Sequence, residues 1–442
     1  MKPPILRRFR HGVHPEEHKD TAGLPVVRMP FVAEYVLPLA QGGAPARPVV
    51  RVGERVHRGQ LLAAPGGFVS TALHSPVDGR VTAIGPRPHS SGKLVESLII
   101  AADPLSPQRL ADGAATDWAA LSADDFVARV QQGGLVGLGG AAFPTHVKYR
   151  LPEGRQVERL VANGCECEPY LTADHRVMLE RAAAVVRGTE IVAARLGVRE
   201  AVIAVEANKP DAAAALEAAA AGTSVRVVTL AVKYPQGAEK MLLRALFGLE
   251  VPPGKLPLDV GCLVNNVGTL AALADWFDRG VPLVERIVTV AGPGVARPAN
   301  LLVPIGTPVA ALLQHCGLRP EADEVVMGGP MMGSPVATLD VPVLKGTSGI
   351  LVFTAADRIA EQPCIRCGRC LDACPQLLNP SRLGRLAKVG RYDSMEDLHV
   401  FDCVECGSCS FSCPSAIPIV QLIRVAKQAL RDQQTRDKAK AS

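Results

Sequence analysis

A chain of 442 residues with 48% hydrophobic content is longer than one core usually grows, so roughly two to four domains are expected. The formal net charge of +5 is small and its basic residues are dispersed, which argues against nucleic-acid binding; the densest group, Arg7, Arg8 and Arg10, reads as a solvated arm. The longest uncharged run, 298–318, carries Pro298, Pro304, Pro308, Gln314 and His315, which excludes a lipid-facing helix, and the basic start is followed by no apolar segment of secretory type.

Residues 1–112 read as a β-rich module, with Pro and Gly punctuating short Val-rich runs. Val52-Gly53-Glu54-Arg55-Val56-His57-Arg58-Gly59-Gln60-Leu61 is followed by Ser75-Pro76-Val77-Asp78-Gly79-Arg80-Val81. The pair resembles the hammerhead of biotinyl and lipoyl domains, a small barrel-sandwich. Carriers of that kind bear a Lys on the hairpin between the halves, and 62–74 holds none, so a structural or docking module is expected. His57, His74 and His89 share no ligand spacing and read as surface or turn residues.

An α/β module is expected over 113–284. A helix over 117–132 leads into Gly133-Gly134-Leu135-Val136-Gly137-Leu138-Gly139-Gly140-Ala141-Ala142-Phe143-Pro144. Gly137-x-Gly139-x-x-Ala142 satisfies the dinucleotide fingerprint literally, but a Rossmann loop follows a strand, whereas this one follows a helix. A Gly-rich loop feeding a helix N-terminus still makes an anion cradle, to which Lys148 adds charge. A short strand over 157–162 delivers Asn163-Gly164-Cys165-Glu166-Cys167-Glu168-Pro169-Tyr170 at its C-terminal end, where α/β proteins bind ligands. Strands over 201–205 and 225–230 alternate with helices through 196 and over 212–221. Lys233-Tyr234-Pro235-Gln236-Gly237-Ala238-Glu239-Lys240 follows, and then Asn265-Asn266, whose place before a helix suits capping and ligand binding together. Residues 285–345 alternate short strands around a helix over 308–316, with Met327, Met331 and Met332 as packing residues.

Residues 346–442 hold the strongest signal. Eight of the 12 cysteines stand in two runs, Cys364-x2-Cys367-x2-Cys370-x3-Cys374-Pro375 and Cys403-x2-Cys406-x2-Cys409-x3-Cys413-Pro414. This is the spacing of bacterial two-cluster ferredoxins, in which the fourth Cys, at the start of the next helix, serves the other cluster. One [4Fe-4S] cluster is thereby assigned to Cys364, Cys367, Cys370 and Cys413, the second to Cys403, Cys406, Cys409 and Cys374. Structural zinc uses similar paired elements but needs only four ligands and gives no reason for a doubled run. The remaining cysteines, 165, 167, 262 and 316, read as free thiols of a reducing compartment. A helix over 417–430 and a charged tail end the chain.

The order of Gly-rich loop with Ala142-Phe143-Pro144-Thr145, then Asn163 to Tyr170, then Val264-Asn265-Asn266-Val267-Gly268-Thr269-Leu270, then two cysteine runs, resembles the RnfC family, a component of the Rnf (Rsx) electron transport complex. More distantly it is similar to the NADH- and FMN-binding subunit of respiratory complex I. The resemblance covers nearly the whole chain and implies a multidomain α/β protein: a barrel-sandwich, a flavin and nucleotide domain, a soluble-ligand-binding β-grasp module and an α-helical two-cluster domain. It implies a noncovalent FMN with NADH docking over its face. By position, Gly137, Gly139, Gly140 and Lys148 hold the phosphate side, Asn163, Glu166, Asn265, Asn266 and Thr269 line flavin and ribityl, and Phe143 and Glu168 meet the nicotinamide nucleotide. Against the complex I pattern, Leu138 replaces Arg, Cys165 replaces Asp and Gly268 replaces Glu.

NADH yields two electrons together and a cluster accepts one, so a flavin between them is the needed converter. The expected function is that of a peripheral subunit on the cytoplasmic face of the bacterial inner membrane. It would be held by the membrane subunits of an ion-translocating complex and pass electrons from NADH through FMN to two 4Fe-4S clusters, or in reverse, with no side chain acting as acid or base. Two alternatives stand beside it: a soluble flavin and iron-sulfur reductase of the cobalamin-reductase type, and a non-catalytic iron-sulfur relay or docking subunit in which Leu138, Cys165 and Gly268 have abolished nucleotide binding.

Overall fold

The computed structural model describes residues 6–355 and 359–441, with side chains through 437; residues 1–5, 356–358 and 442 of the expected modules lie outside the described residues.

The N-terminal module is built of two antiparallel sheets. Glu34–Pro38, Leu94–Ala102, Gly79–Pro88 and Arg55–Val56 form one, and Arg47–Pro48, Leu61–Ala64 and Leu73–His74 form the other. Their facing side chains, among them Tyr35, Leu37, Leu62, Leu73, Val81 and Leu98, are buried, each contributing about 1.5–3 kcal/mol. The hairpin that a carrier would use for its Lys is docked instead on the next domain. Gln131 Nε2 donates to the carbonyls of Gly67, Phe68 and Ser70, and the Phe68 ring meets His146 edge-on at 5.3 Å. This docking corrects the reading of His74 as a surface residue: it is buried, stands 6.3 Å from the Trp276 ring, and burial holds its pKa down to about 3.

Arg7, Arg8 and Arg10 are exposed, as a solvated arm requires, but the arm is anchored: Arg7 bridges the edge strand at Leu230, its guanidinium donates to the Leu246 carbonyl at 2.6 Å, and Phe9 is buried. Residues 7–28 form a strap outside the barrel, crossing the second domain and entering the third.

That second domain carries a parallel sheet in the order Val225–Leu230, Glu200–Glu206, Arg159–Gly164, Cys262–Asn266, with helices Ala173–Glu180, Ala182–Leu196, Pro210–Ala219, Glu239–Phe247 and Val267–Arg279 connecting or covering it. Near-continuous apolar strands suit a sheet covered on both faces. The helix before the Gly-rich loop is Ala123–Gln132, six residues shorter than the sequence suggests, because Ser122 caps it by accepting from Asp125 N.

The third domain is a six-stranded sheet in the order Val26–Arg28, Ala299–Pro304, Glu285–Ala291, Gly349–Phe353, Glu324–Met327, Ser334–Pro335, packed on helix Val309–Cys316. It takes one strand from the strap and one from beyond residue 345. The C-terminal domain is helical: Arg369–Ala373, Pro380–Lys388, Ser408–Phe411 and Ile419–Ala441. Among the described residues no helix is long and apolar enough to cross a membrane.

Candidate functional site

Asn163 and Asn266 are register partners at the C-terminal ends of two parallel strands. Asn163 Nδ2 donates to the Gly237 carbonyl at 2.8 Å, and its Oδ1 accepts from Cys165 N at 3.0 Å. Asn266 caps helix Val267–Arg279, its Oδ1 accepting from Gly268 N and Thr269 N, while its Nδ2 donates to Asp174 at 2.7 Å. Burial first, and the nearby Glu166 second, push Asp174 up to about 7.

The Gly-rich loop folds back on itself, with Gly137 N donating to Phe143 O at 2.8 Å and Ala142 N to Gly137 O at 3.1 Å. The expected helix follows the loop directly, as the short helix Thr145–Tyr149 with Pro144 at its N-cap, but the loop is seated on a longer one, the 13-residue helix Val267–Arg279. Thr269 Oγ1 makes the joint, accepting from Leu138 N at 2.9 Å and donating to Val136 O at 3.1 Å. The loop's mouth is open: Gly139, Gly140 and Ala141 are exposed, and Gly140 sits at φ +110°, a conformation L side chains rarely adopt, with free space where a Cβ would stand.

The other expected residues divide. Lys148 Nζ donates to Glu239 at 2.6 Å and to Val264 O at 2.8 Å, beside Asn265. Both Glu166 oxygens accept helix N–H groups, those of Asp174 and His175. Phe143 stands on the exposed loop rim. Glu168 turns towards the third domain, accepting from Met331 N at 3.0 Å; burial raises its pKa to about 7. Its Oε2 lies 2.3 Å from where a Cβ on Gly329 would be, so only glycine fits there. Two departures from the complex I pattern are neighbours: a Cβ on Gly268 would stand 3.4 Å from Leu138 Cδ1. The third, Cys165, is buried, its thiol facing Ala204 O at 3.8 Å.

Several site residues gave no signal in sequence. Lys19 Nζ, on the strap, donates to the carbonyls of Glu166, Glu168 and Leu171 and fixes the loop after Asn163. Buried Arg286 donates to Leu138 O at 3.2 Å and Lys345 O at 2.6 Å, backing the Gly loop. Gln236 is fully buried, and among the described residues neither of its amide atoms, nor Asn265 Oδ1, finds a hydrogen-bond partner. Pro235-Gln236-Gly237, standing after a strand's C-terminal end, was the one available pointer. Orphaned donors and acceptors of this kind fit a bound group that carries both, as a flavin ring does, and the open loop beside Asn266, the N-cap of helix Val267–Arg279, fits its phosphate, while Lys148 is already ion-paired with Glu239.

The eight cysteines of the C-terminal runs gather into two hollows. One, about 490 Å³, is lined by Cys364, Cys367, Cys370 and Cys413; the other is lined by Cys374, Cys403, Cys406 and Cys409. Cys374 closes helix Arg369–Ala373 instead of opening the next one, so the helix end itself aims this thiol at the second run. The two sites are joined by Tyr234, whose hydroxyl donates to Cys406 O at 2.7 Å, two residues before the Gln236 amide.

The Nuo51 FMN-binding domain family matches residues 130–275, the 4Fe-4S dicluster domain family 361–417, the RnfC barrel sandwich hybrid domain family 7–104 and the SLBB domain family 287–335. Fold and site thus define a modular iron-sulfur flavoprotein. The C subunit of the proton-translocating ferredoxin:NAD(+) oxidoreductase complex of Clostridium ljungdahlii is 44% identical over 90% of this chain and 88% of its own length. Its counterpart in the Na(+)-translocating ferredoxin:NAD(+) oxidoreductase complex of Acetobacterium woodii is 41% identical over 89% of this chain and 90% of its own. The corresponding protein of an ion-translocating oxidoreductase complex of Pseudomonas aeruginosa is 41% identical over 88% of this chain, which spans 51% of that protein. The chain belongs to the RnfC family of ion-translocating oxidoreductase complexes. A solved NAD+-reducing [NiFe]-hydrogenase shares the fold with a TM-score of 0.50 at 20% identity, over 69% of this chain and 63% of the hydrogenase chain.

Proposed function

We propose that this chain is the NAD(H)-facing electron-transfer subunit of a membrane-bound, ion-translocating oxidoreductase complex. When bound, FMN supplies an acceptor that exchanges electrons in pairs with NADH and singly with iron-sulfur clusters. Gly137, Gly139, Gly140 and Lys148 would hold its phosphate side. Asn163, Glu166, Asn265, Asn266 and Thr269, with Gln236 added, would hold or brace the ring and ribityl, and Phe143 and Glu168 would border the nicotinamide nucleotide. Cys364, Cys367, Cys370 and Cys413 would ligate one [4Fe-4S] cluster, and Cys374, Cys403, Cys406 and Cys409 the other.

One observation carries the reading. A four-residue segment touches both sites: Gly237 is bonded to Asn163 through its carbonyl and to Cys167 through its N–H, and Tyr234 reaches Cys406. Val13, Tyr234, Ala373 and Cys406 close an apolar, water-excluding seam around that segment. The order of sites then runs from the flavin cradle to the buried quartet and on to the exposed one, since Cys374, Cys406 and Cys409 are buried and Cys364 and Cys367 exposed. Placement is the chain's whole task, and either direction of flow uses the same path. Access to the NAD(H) pool argues for the cytoplasmic face of the inner membrane, with partner subunits supplying the attachment.

The test is co-purification with membranes of the source cell together with NADH-dependent reduction of ferricyanide. Membrane attachment with NADH activity supports the reading. A soluble chain that reduces ferricyanide points to the soluble reductase, and an attached chain inert to NADH points to the relay subunit.

A further inference from the structure

The two cysteine runs are a repeat with one backbone and two environments. Arg366 and Glu405 occupy the same position in the repeat at φ 57° and 56°, as do Gly368 and Gly407 at 80° and 79°. Their surroundings differ. In the second run Val404 packs into the seam with Tyr234 and Met331, Glu405 is ion-paired with Arg424 at 3.2 Å and with Lys427 at 2.5 Å, and 406–409 are buried. In the first run every residue from 361 to 367 is exposed. Ile365, the counterpart of Val404, is 69% exposed. An apolar loop tip that one copy seals inside an interface, and the other leaves bare beside two cluster cysteines, marks an interface still to be made.

Charge identifies the occupant. Arg366 stands where the covered copy has Glu405 and lines the hollow together with Arg385, and Arg369 and Arg382, next in the chain to its lining residues Gly368 and Ser381, are exposed as well. Among the described residues none of these four is ion-paired, while Lys388 is paired with Glu361. We propose that this face docks a partner protein whose acidic surface surrounds its own one-electron redox centre. The proposal rests on the electron-transfer reading above: a single electron leaves or enters at the exposed quartet, and the arginines steer and orient the partner.

The test uses membranes from the source cell, stripped of this chain by salt, to which purified anaerobic protein is returned. Rebinding and NADH-driven electron delivery to the membrane are measured against KCl concentration for the wild type and for Arg366→Glu/Arg385→Glu. The expected result is rebinding weakened tenfold or more, delivery that falls steeply with salt, and unchanged iron content and NADH–ferricyanide activity. Arg382→Glu/Arg385→Glu, outside the cysteine loop, repeats the measurement should the first pair lose iron. Salt-independent rebinding unaffected by both pairs would overturn the proposal. So would equal binding to protein-free phosphatidylglycerol vesicles, which would assign the patch to lipid. Wild-type protein that rebinds through these charges but does not oxidise NADH would uphold the docking site and sink the functional reading instead.

Discussion

The Tyr234 hydroxyl donates to the Cys406 carbonyl across 2.7 Å, tying a residue of the second domain to the backbone of the buried cysteine quartet. Burial, followed by the neighbouring Glu168, raises the pKa of this phenol, so it stays a neutral donor. Tyr234→Phe should cost about 1 kcal/mol of stability. Because the seam that Tyr234 closes keeps solvent from the buried quartet, and solvent exposure tunes cluster potentials, the substitution should also shift the potential of the buried cluster and leave the exposed one unchanged. A redox titration followed by EPR reads both; two unchanged potentials would reduce Tyr234 to a packing residue.

Cys406→Ser and Cys364→Ser should each remove one cluster and leave the other, halving iron from about eight to about four per chain. Iron and sulfide analysis on anaerobic protein checks this. Loss of Cys406 should stop NADH from reducing the remaining cluster, whereas loss of Cys364 should not.

Gln236 gives a test with two opposite signs. A buried amide without partners costs about 1–3 kcal/mol, so Gln236→Leu should stabilise the flavin-free chain by on the order of 1 kcal/mol. If the amide serves flavin, the same change should weaken flavin binding about tenfold, the equivalent of 1.4 kcal/mol. Thermal unfolding of the stripped protein and fluorescence titration with FMN measure the two effects separately.

Lys345 should govern an alkaline limb of stability. Its Nζ is buried against Ala72 O, Gly134 O and Thr71 Oγ1, a set that a neutral amine satisfies with two donors and one acceptor. Burial lowers its pKa from 10.5 to about 7. Between those values the unfolded chain binds the extra proton, so stability rises with pH from about 7 to about 10.5 and is flat in this group below and above. Urea unfolding across that range should show an increase on the order of a few kcal/mol that Lys345→Met removes.

The gathering of the eight cysteines into two groups of four was legible because spacing is a local property: three cysteines at steps of three must share one loop. The Gly-rich loop and Asn265-Asn266 were legible for the same reason, and their order in the chain carried the family resemblance. What supports them was not. The helix that seats the Gly loop does so through Thr269, 131 residues after Leu138, and Lys19 reaches the loop after Asn163 from the strap. His74 reads as a turn residue because its burial comes from docking one domain on another, which leaves no periodic trace. The exposed Ile365 and the inward-packed Val404 look alike in sequence; only their neighbours tell them apart.

The most direct measurement is an anaerobic titration of the purified chain with NADH, following the visible spectrum after flavin and iron have been quantified. The account predicts about one flavin and about eight irons per chain, with bleaching of the flavin band followed by reduction of the clusters. A full complement of iron with no flavin and no response to NADH would contradict it.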